Sequence, residues 1–225
     1  MTIIWKEVTL EDRNLWNQVM ELYDRSFPLE VREPHSIFKK SMKYAEISKP
    51  NAFHFIAGID NEQVVSFATG HYLAEVNAGF IVYIATNPSV QNKGLGSQTL
   101  LTLEQLLNKD AIKAGYSSLN LVILETEKEE NAETKQEQEE CQKRKSFFER
   151  NKYKAYKEIE YVQPPLYQEH EAVPLNLLIK NVQKIDITIE YIFQIVKYMY
   201  QEKYLAVNGL EKETIIGCLQ NMGLE

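Results

Sequence analysis

The stretch Tyr83-Ile84-Ala85-Thr86-Asn87-Pro88-Ser89-Val90-Gln91-Asn92-Lys93-Gly94-Leu95-Gly96-Ser97 decides how this chain folds. It leaves a short apolar β segment, Phe80 to Thr86, which Asn87-Pro88 stops. It then enters an amphipathic helix, which Leu100, Leu103, Leu106 and Leu107 predict over 97–113, with Gly115 placed as its left-handed cap. Gly94 and Gly96 let backbone N–H groups come close to an anion, because no Cβ stands in the way. Those N–H groups sit at the positive end of the helix dipole, which makes a pyrophosphate cradle, and Lys93 adds charge. A glycine turn without a ligand is the plainer account of Gly-x-Gly alone. The run is not a dinucleotide fingerprint, since its third glycine is missing and a meander precedes it. Nor is it a Walker loop, since Gly-Lys-Ser/Thr is absent.

Upstream, Ile3 to Val8 reads as a first strand. Thr9 and Asp12 stand at capping-box spacing before a helix with Leu15, Val19, Leu22 and Tyr23 on one face. Phe27-Pro28 breaks it, and Pro34 opens a second helix to Ile47, with Ile37, Ser41 and Tyr44 on one face. Ala52–Ile59, Val64–Leu73 and Phe80–Thr86 follow at hairpin spacing, so they form an antiparallel meander. Downstream, Leu119–Leu124 is a β-rich run that the intervening helix forces into parallel pairing. Residues 125–140 hold eight Glu and two Lys, which favours an exposed helix or a partly ordered insertion. Tyr156–Val162 and Leu175–Ile179 read as strands. Beyond Lys180 the pattern is helical: Ile185, Ile189, Ile192, Phe193, Val196, Met199 and Tyr200 share a face, Asn208-Gly209 interrupts, and a short helix carries Ile215, Ile216 and Leu219. Residues 181–225 are too few to bury a core alone, so they are expected as an extension of a 1–180 domain. Their apolar face would pack on the sheet or serve a homodimer.

Composition excludes several classes. At 225 residues and 44% hydrophobic content the chain has enough core to fold without staples. A net charge of −7 with no basic stripe argues against nucleic-acid binding. Two distant cysteines, Cys141 and Cys218, offer no thiolate cage and fit a reducing cytoplasm. His35, His54 and His170 have no metal-ligand spacing, so no metal is expected. No apolar run approaches the ~20 residues of a membrane span, and the start resembles no secretory signal. No Gly-x-Ser-x-Gly elbow is present.

The run Tyr83 to Ser97, with its Gln91-x-x-Gly94-x-Gly96, resembles the acetyl-CoA motif of the GNAT N-acetyltransferases, Arg/Gln-x-x-Gly-x-Gly/Ala after a strand. The element order resembles that family from Ile3 to Lys180. Phe147-Phe148-Glu149-Arg150-Asn151-Lys152-Tyr153 is similar to its later Phe-Tyr-Glu-Lys-x-Gly-Phe block. The resemblance implies a mixed α/β fold with a mostly antiparallel central sheet, splayed fourth and fifth strands, and flanking helices. It implies acetyl transfer from the co-substrate acetyl-CoA to a small-molecule or peptide amine, by direct attack through a tetrahedral intermediate in the cleft between those strands. Ile84 and Thr86 would hold the pantetheine arm, and Gln91, Asn92, Lys93, Gly94, Leu95, Gly96 and Ser97 the pyrophosphate.

The chain departs from the pattern where the family often has a Tyr that protonates the leaving thiolate. Phe148 stands there and has no proton to give, though it can pack on the thioester end of CoA. Tyr83 is a candidate acid; Tyr153 replaces a core Phe and reads as packing. An ammonium acceptor must lose a proton before attack, so a carboxylate or His is needed. Glu125, ending the fifth strand, is the first candidate and His71, on the third, the second. Phe27, Glu30 and Arg32, at the junction of the first two helices, are candidates for the acceptor site. Two alternatives stay open: a CoA-binding regulatory module with lost turnover, and a nucleotide-binding protein using the same glycine cradle.

Overall fold

The computed structural model describes residues 2–90, 94–167 and 170–224, with the main chain alone at Glu30. The chain divides into two compact units, Met1–Leu119 and Asn120–Glu225.

In the first unit, β1 (Ile4–Glu7), β2 (Ala52–Asp60), β3 (Gln63–Leu73) and β4 (Ala78–Thr86) form the antiparallel meander that the sequence predicts. The β2–β3 hairpin closes through Asn61 and Glu62, both at positive φ (48° and 63°), which suits the right-handed twist of the strands. The β3–β4 turn places Asn77 at φ 43°, and its side chain is fixed by the Tyr72 hydroxyl at 3.1 Å and the Ser118 carbonyl at 2.9 Å. Thr69 faces Tyr83 while Gly70 faces Ile81, so Val82 is an extra residue and β4 bulges there.

Helix α1 (Arg13–Ser26) starts with Asp12 alone: its carboxylate accepts from the Leu15 N–H at 3.0 Å, and Thr9 lies outside the helix. Helix α2 (His35–Ile47) begins after Pro34. Leu15, Val19, Leu22 and Tyr23 of α1, with Phe38 of α2, pack on Phe55, Phe67 and Tyr83 of the sheet. Helix α3 (Leu95–Lys113) starts two residues before the expected Ser97 and buries Leu100, Leu103 and Leu107. It lies so close to the sheet that a Cβ on Gly79 would stand 2.8 Å from Leu107 Cδ1.

In the second unit, β8 (Val173–Asn181) is central, flanked antiparallel by β5 (Leu121–Glu127) and β6 (Lys154–Tyr156), with β7 (Val162–Gln163) paired to its first residues. The expected strand 156–162 is therefore two short pieces. The chain bends between them, and the bend carries the buried Tyr161 to a side-chain partner on β5. The Glu-rich run ends in helix α4 (Lys135–Arg150), started by a capping box between Thr134 and Glu137 and anchored by buried Cys141 and Phe148.

Ile185 does not join the following helix, because Asn181 clamps it in a loop through bonds to its N–H (3.1 Å) and carbonyl (2.7 Å). Helix α5 (Ile189–Met199) starts on the Thr188 cap and continues as a π-helix, Tyr200–Asn208. Gly209 at φ 77° ends it, and α6 (Lys212–Asn221) follows. Among the described residues no helix is long and apolar enough to cross a membrane.

Candidate active site

One candidate lies in the first unit, at the N-terminus of α3. Gly94 takes φ 75° and ψ 4°, a left-handed conformation that glycine adopts without steric cost. It caps a 19-residue helix, and among the described residues no side chain caps the amides that follow. Orphan N–H groups at a helix start need an acceptor, and a phosphate supplies one. A Cβ built on Gly94 meets nothing within 4 Å, so the approach is open. Leu95, Gly96 and Ser97 form the first turn, and the residues present fit a phosphorylated ligand. Gln91, Asn92 and Lys93 lie outside the described residues. Ile84 and Thr86 sit on β4 past the bulge, opposite Ala68 and Ser66, and both are half-buried.

A separate candidate lies in the second unit, built around Glu125 on β5. Its residue is half-buried, but three side chains ring the carboxylate. The Tyr161 hydroxyl donates to Oε1, Gln163 Nε2 donates to Oε2 at 2.9 Å, and the Tyr204 hydroxyl lies 2.8 Å from both oxygens. Gln163 also reaches Tyr204 Oη at 3.2 Å, which closes the ring. Burial pushes the Glu125 pKa up, against the pull of those donors and of the Lys203 charge. Tyr161 is pushed well up by burial and by the neighbouring Glu125 charge, so its proton stays on at neutral pH.

The other predicted residues are held as follows. Tyr83 is buried beside Tyr23, Phe27 and Phe38, and its hydroxyl donates to the Val31 carbonyl at 3.2 Å. Burial raises its pKa well above the usual value. His71 is buried with its ring near those of Phe53 and Phe80. Phe27 covers Tyr83, with ring centroids 5.0 Å apart. Arg32 donates through Nη1 to Asp24, at 2.7 Å to the carboxylate and 3.1 Å to the carbonyl. The Glu30 side chain lies outside the described residues. Phe148 is buried, edge-on to Tyr153, and lines a cavity of about 490 Å³ in the second unit together with Thr126, Arg144 and Asn176.

Tyr161, Gln163 and Tyr204 are functional candidates that sequence reasoning missed. They stand 36, 38 and 79 residues from Glu125, and no spacing rule connects them. Among the described residues no group of three or more His, Cys, Asp or Glu side chains is placed to hold a metal ion.

The sequence model of the acetyltransferase (GNAT) family matches residues 16–145, more than half of the chain. No curated protein is a significant match. Among solved structures, a GNAT-family protein from Bacteroides thetaiotaomicron is similar at 19% identity and TM-score 0.66, covering 93% of this chain and 100% of its own. The PaiA N-acetyltransferase of Thermoplasma acidophilum, solved with coenzyme A, is similar at 14% identity and TM-score 0.52, covering 80% of this chain and 99% of its own. The ribosomal-protein-S18-alanine N-acetyltransferase of Escherichia coli is similar at 13% identity and TM-score 0.53, with 84% and 99% covered. The chain belongs to the acetyltransferase (GNAT) family and has its mixed α/β fold. It is an acyltransferase.

Proposed function

We propose that this protein transfers an acetyl group from acetyl-CoA to a primary amine, with α3 holding the donor and Glu125 taking the proton from the acceptor. The observation that carries this is the left-handed Gly94 start of α3 within the region that the family model matches. Acetyl-CoA, when bound, supplies an activated acyl thioester. The amides of Leu95, Gly96 and Ser97 bind its phosphates, with Gln91, Asn92 and Lys93 assigned from sequence, and Ile84 and Thr86 offer backbone groups to the pantetheine arm. Phe148 packs on the thioester end and donates no proton.

The acceptor arrives as an ammonium at neutral pH and must lose a proton before it attacks. A carboxylate raised above its usual range by burial is suited to that step, because its basicity lies closer to the working pH. His71 is enclosed in aromatic surroundings, which leaves Glu125 as the better base, and Tyr83, the candidate acid, gives its hydroxyl to a backbone carbonyl. Phe27 and Arg32 shape the acceptor side through their packing on Tyr83 and Asp24; Glu30 is assigned there from sequence.

A melt with saturating acetyl-CoA, and with ATP and NAD as controls, tests the donor. Ligand at 100 times its Kd stabilises by about 2.7 kcal/mol, which is a rise of roughly 5–11 °C for a chain of this size. A rise with acetyl-CoA alone supports the proposal, and no rise refutes it. Release of CoA thiol with spermidine, kanamycin and an N-terminal alanine peptide then tests the acceptor class. Release independent of every amine overturns N-acetylation.

A further inference from the structure

The ring around Glu125 is not closed by the strands alone. Its last member, Tyr204, comes from the π-helix Tyr200–Asn208. A π-helix of nine residues is rare, and π-bulges collect at functional sites, because the i→i+5 pattern is costly unless something rewards it. Here the wide turns bury Tyr200, Lys203, Tyr204 and Val207 together. Tyr200 donates to the Val162 carbonyl, which ties the helix to β7 beside Gln163. Lys203 Nζ donates to Asn208 Oδ1 at 2.8 Å within the same helix. Tyr204 Oη then stands 2.8 Å from each oxygen of Glu125, a symmetric bridge that fixes the carboxylate plane.

We propose that the C-terminal π-helix is part of the catalytic apparatus, with Tyr204 a positioning residue that orients the Glu125 carboxylate and Gln163 bracing the pair. This rests on Glu125 being the base. Among the described residues, the charged and titratable groups acting on Glu125 include Tyr161, Tyr200, Tyr204 and Lys203. Tyr204 stabilises the ionised carboxylate, so its loss moves the Glu125 titration to higher pH. It also lets the carboxylate turn, which lowers kcat more than it raises KM for the amine.

The test uses the full chain with δ-13C-glutamate labelling, the Glu125 signal being identified by its absence in Glu125→Gln. In Tyr204→Phe the carbon titration midpoint and the acidic limb of kcat/KM move up together. With the amine that responds best among spermidine, kanamycin and the alanine peptide, kcat falls about tenfold or more, while the melt with acetyl-CoA still rises as in wild type. Gln163→Leu gives the same signs with a smaller effect, should Tyr204→Phe fail to fold. In a double-mutant cycle, Glu125→Gln with Tyr204→Phe is no slower than Glu125→Gln alone, as residues acting as one unit require. An unmoved titration in folded Tyr204→Phe, or additive losses in the cycle, overturns the positioning role. A wild-type rate and pH profile in Glu125→Gln instead overturns the base assignment, and the titration readout separates the two failures.

Discussion

His54 gives the first unit a defined pH dependence. The ring lies on β2 between two carboxylates: Nδ1 is 2.5 Å from Glu7 Oε1 on β1, and Nε2 meets Asp110 Oδ2 on α3, which Lys113 also reaches at 2.9 Å. Burial of the ring opposes its charge, but Asp110 and Glu7 outweigh burial and raise the pKa from 6.5 to about 9. A folded pKa above the unfolded one stabilises the protein below pH 6.5, and that stability is lost as the pH rises through about 9. Raising the pKa from 6.5 to about 9, at ~1.36 kcal/mol per pH unit, is worth about 3 kcal/mol, most of it gone by pH 9. At roughly 2–4 °C per kcal/mol, the melting midpoint of the free protein falls by about 6–12 °C between pH 6 and pH 9. Asp110 and Glu7 have lowered pKa values, so they add a second loss on the acid side as the pH falls through the carboxylate range. Melts of wild type and His54→Gln at matched ionic strength check this. The variant is less stable at pH 6 and nearly flat to pH 9. A flat wild type, or an equal slope in His54→Gln, refutes the argument.

Gly94→Glu costs about 1–2 kcal/mol for its left-handed backbone, but its Cβ meets no described neighbour within 4 Å. It folds, and its melt no longer responds to acetyl-CoA; a retained response sinks the cradle. Tyr83→Phe removes one bond to the Val31 carbonyl and costs ~1 kcal/mol of stability. Its kcat/KM profile against pH stays as in wild type, and a lost basic limb makes Tyr83 an acid after all. Thr134→Ala breaks the α4 capping box at about 1 kcal/mol. Hydrogen exchange at the Glu137 amide accelerates, and unchanged exchange contradicts the cap.

The first unit was legible because its rules are local. Alternating apolar residues, a turn at Asn61 and a Pro-opened helix each specify their element within ten residues or so, and the meander follows from spacing. The start of α1 was misplaced by a turn because Thr9 and Asp12 both offer capping oxygens, and only the geometry shows Asp12 in use. Gly94 was legible for the same local reason. The bulge at Val82 was not, since it is a mismatch between two strands and leaves no mark in either. The strand expected over 156–162 failed through a tertiary preference. Ile159 and Tyr161 keep the alternation of a strand, but the chain turns so that Tyr161 reaches Glu125.

The C-terminal segment shows why a helical pattern underdetermines function. Its apolar stripe suggested either a cover for the sheet or a dimer face. In the single chain Ile192, Val196 and Met199 are each 0% exposed, while Ile189 and Phe193 of the same stripe are half-buried. Periodicity near 3.6 places Ile192, Val196 and Met199 on the buried face because α5 keeps i→i+4 bonding as far as Met199. Past that point the bonding widens, and the apolar stripe gives way to Lys203 and Tyr204, which are buried beside Tyr200. All three carry a polar end, and all three are buried. A chain that encloses a lysine and two tyrosines on a π-helix gives up solvation and helical regularity together. The hydrogen bonds from Tyr200 to Val162 and from Tyr204 to Glu125 are what it gains in return. The segment therefore belongs with residues 120–180 in one compact unit, and the carboxylate it grips on β5 gives that union a chemical reason.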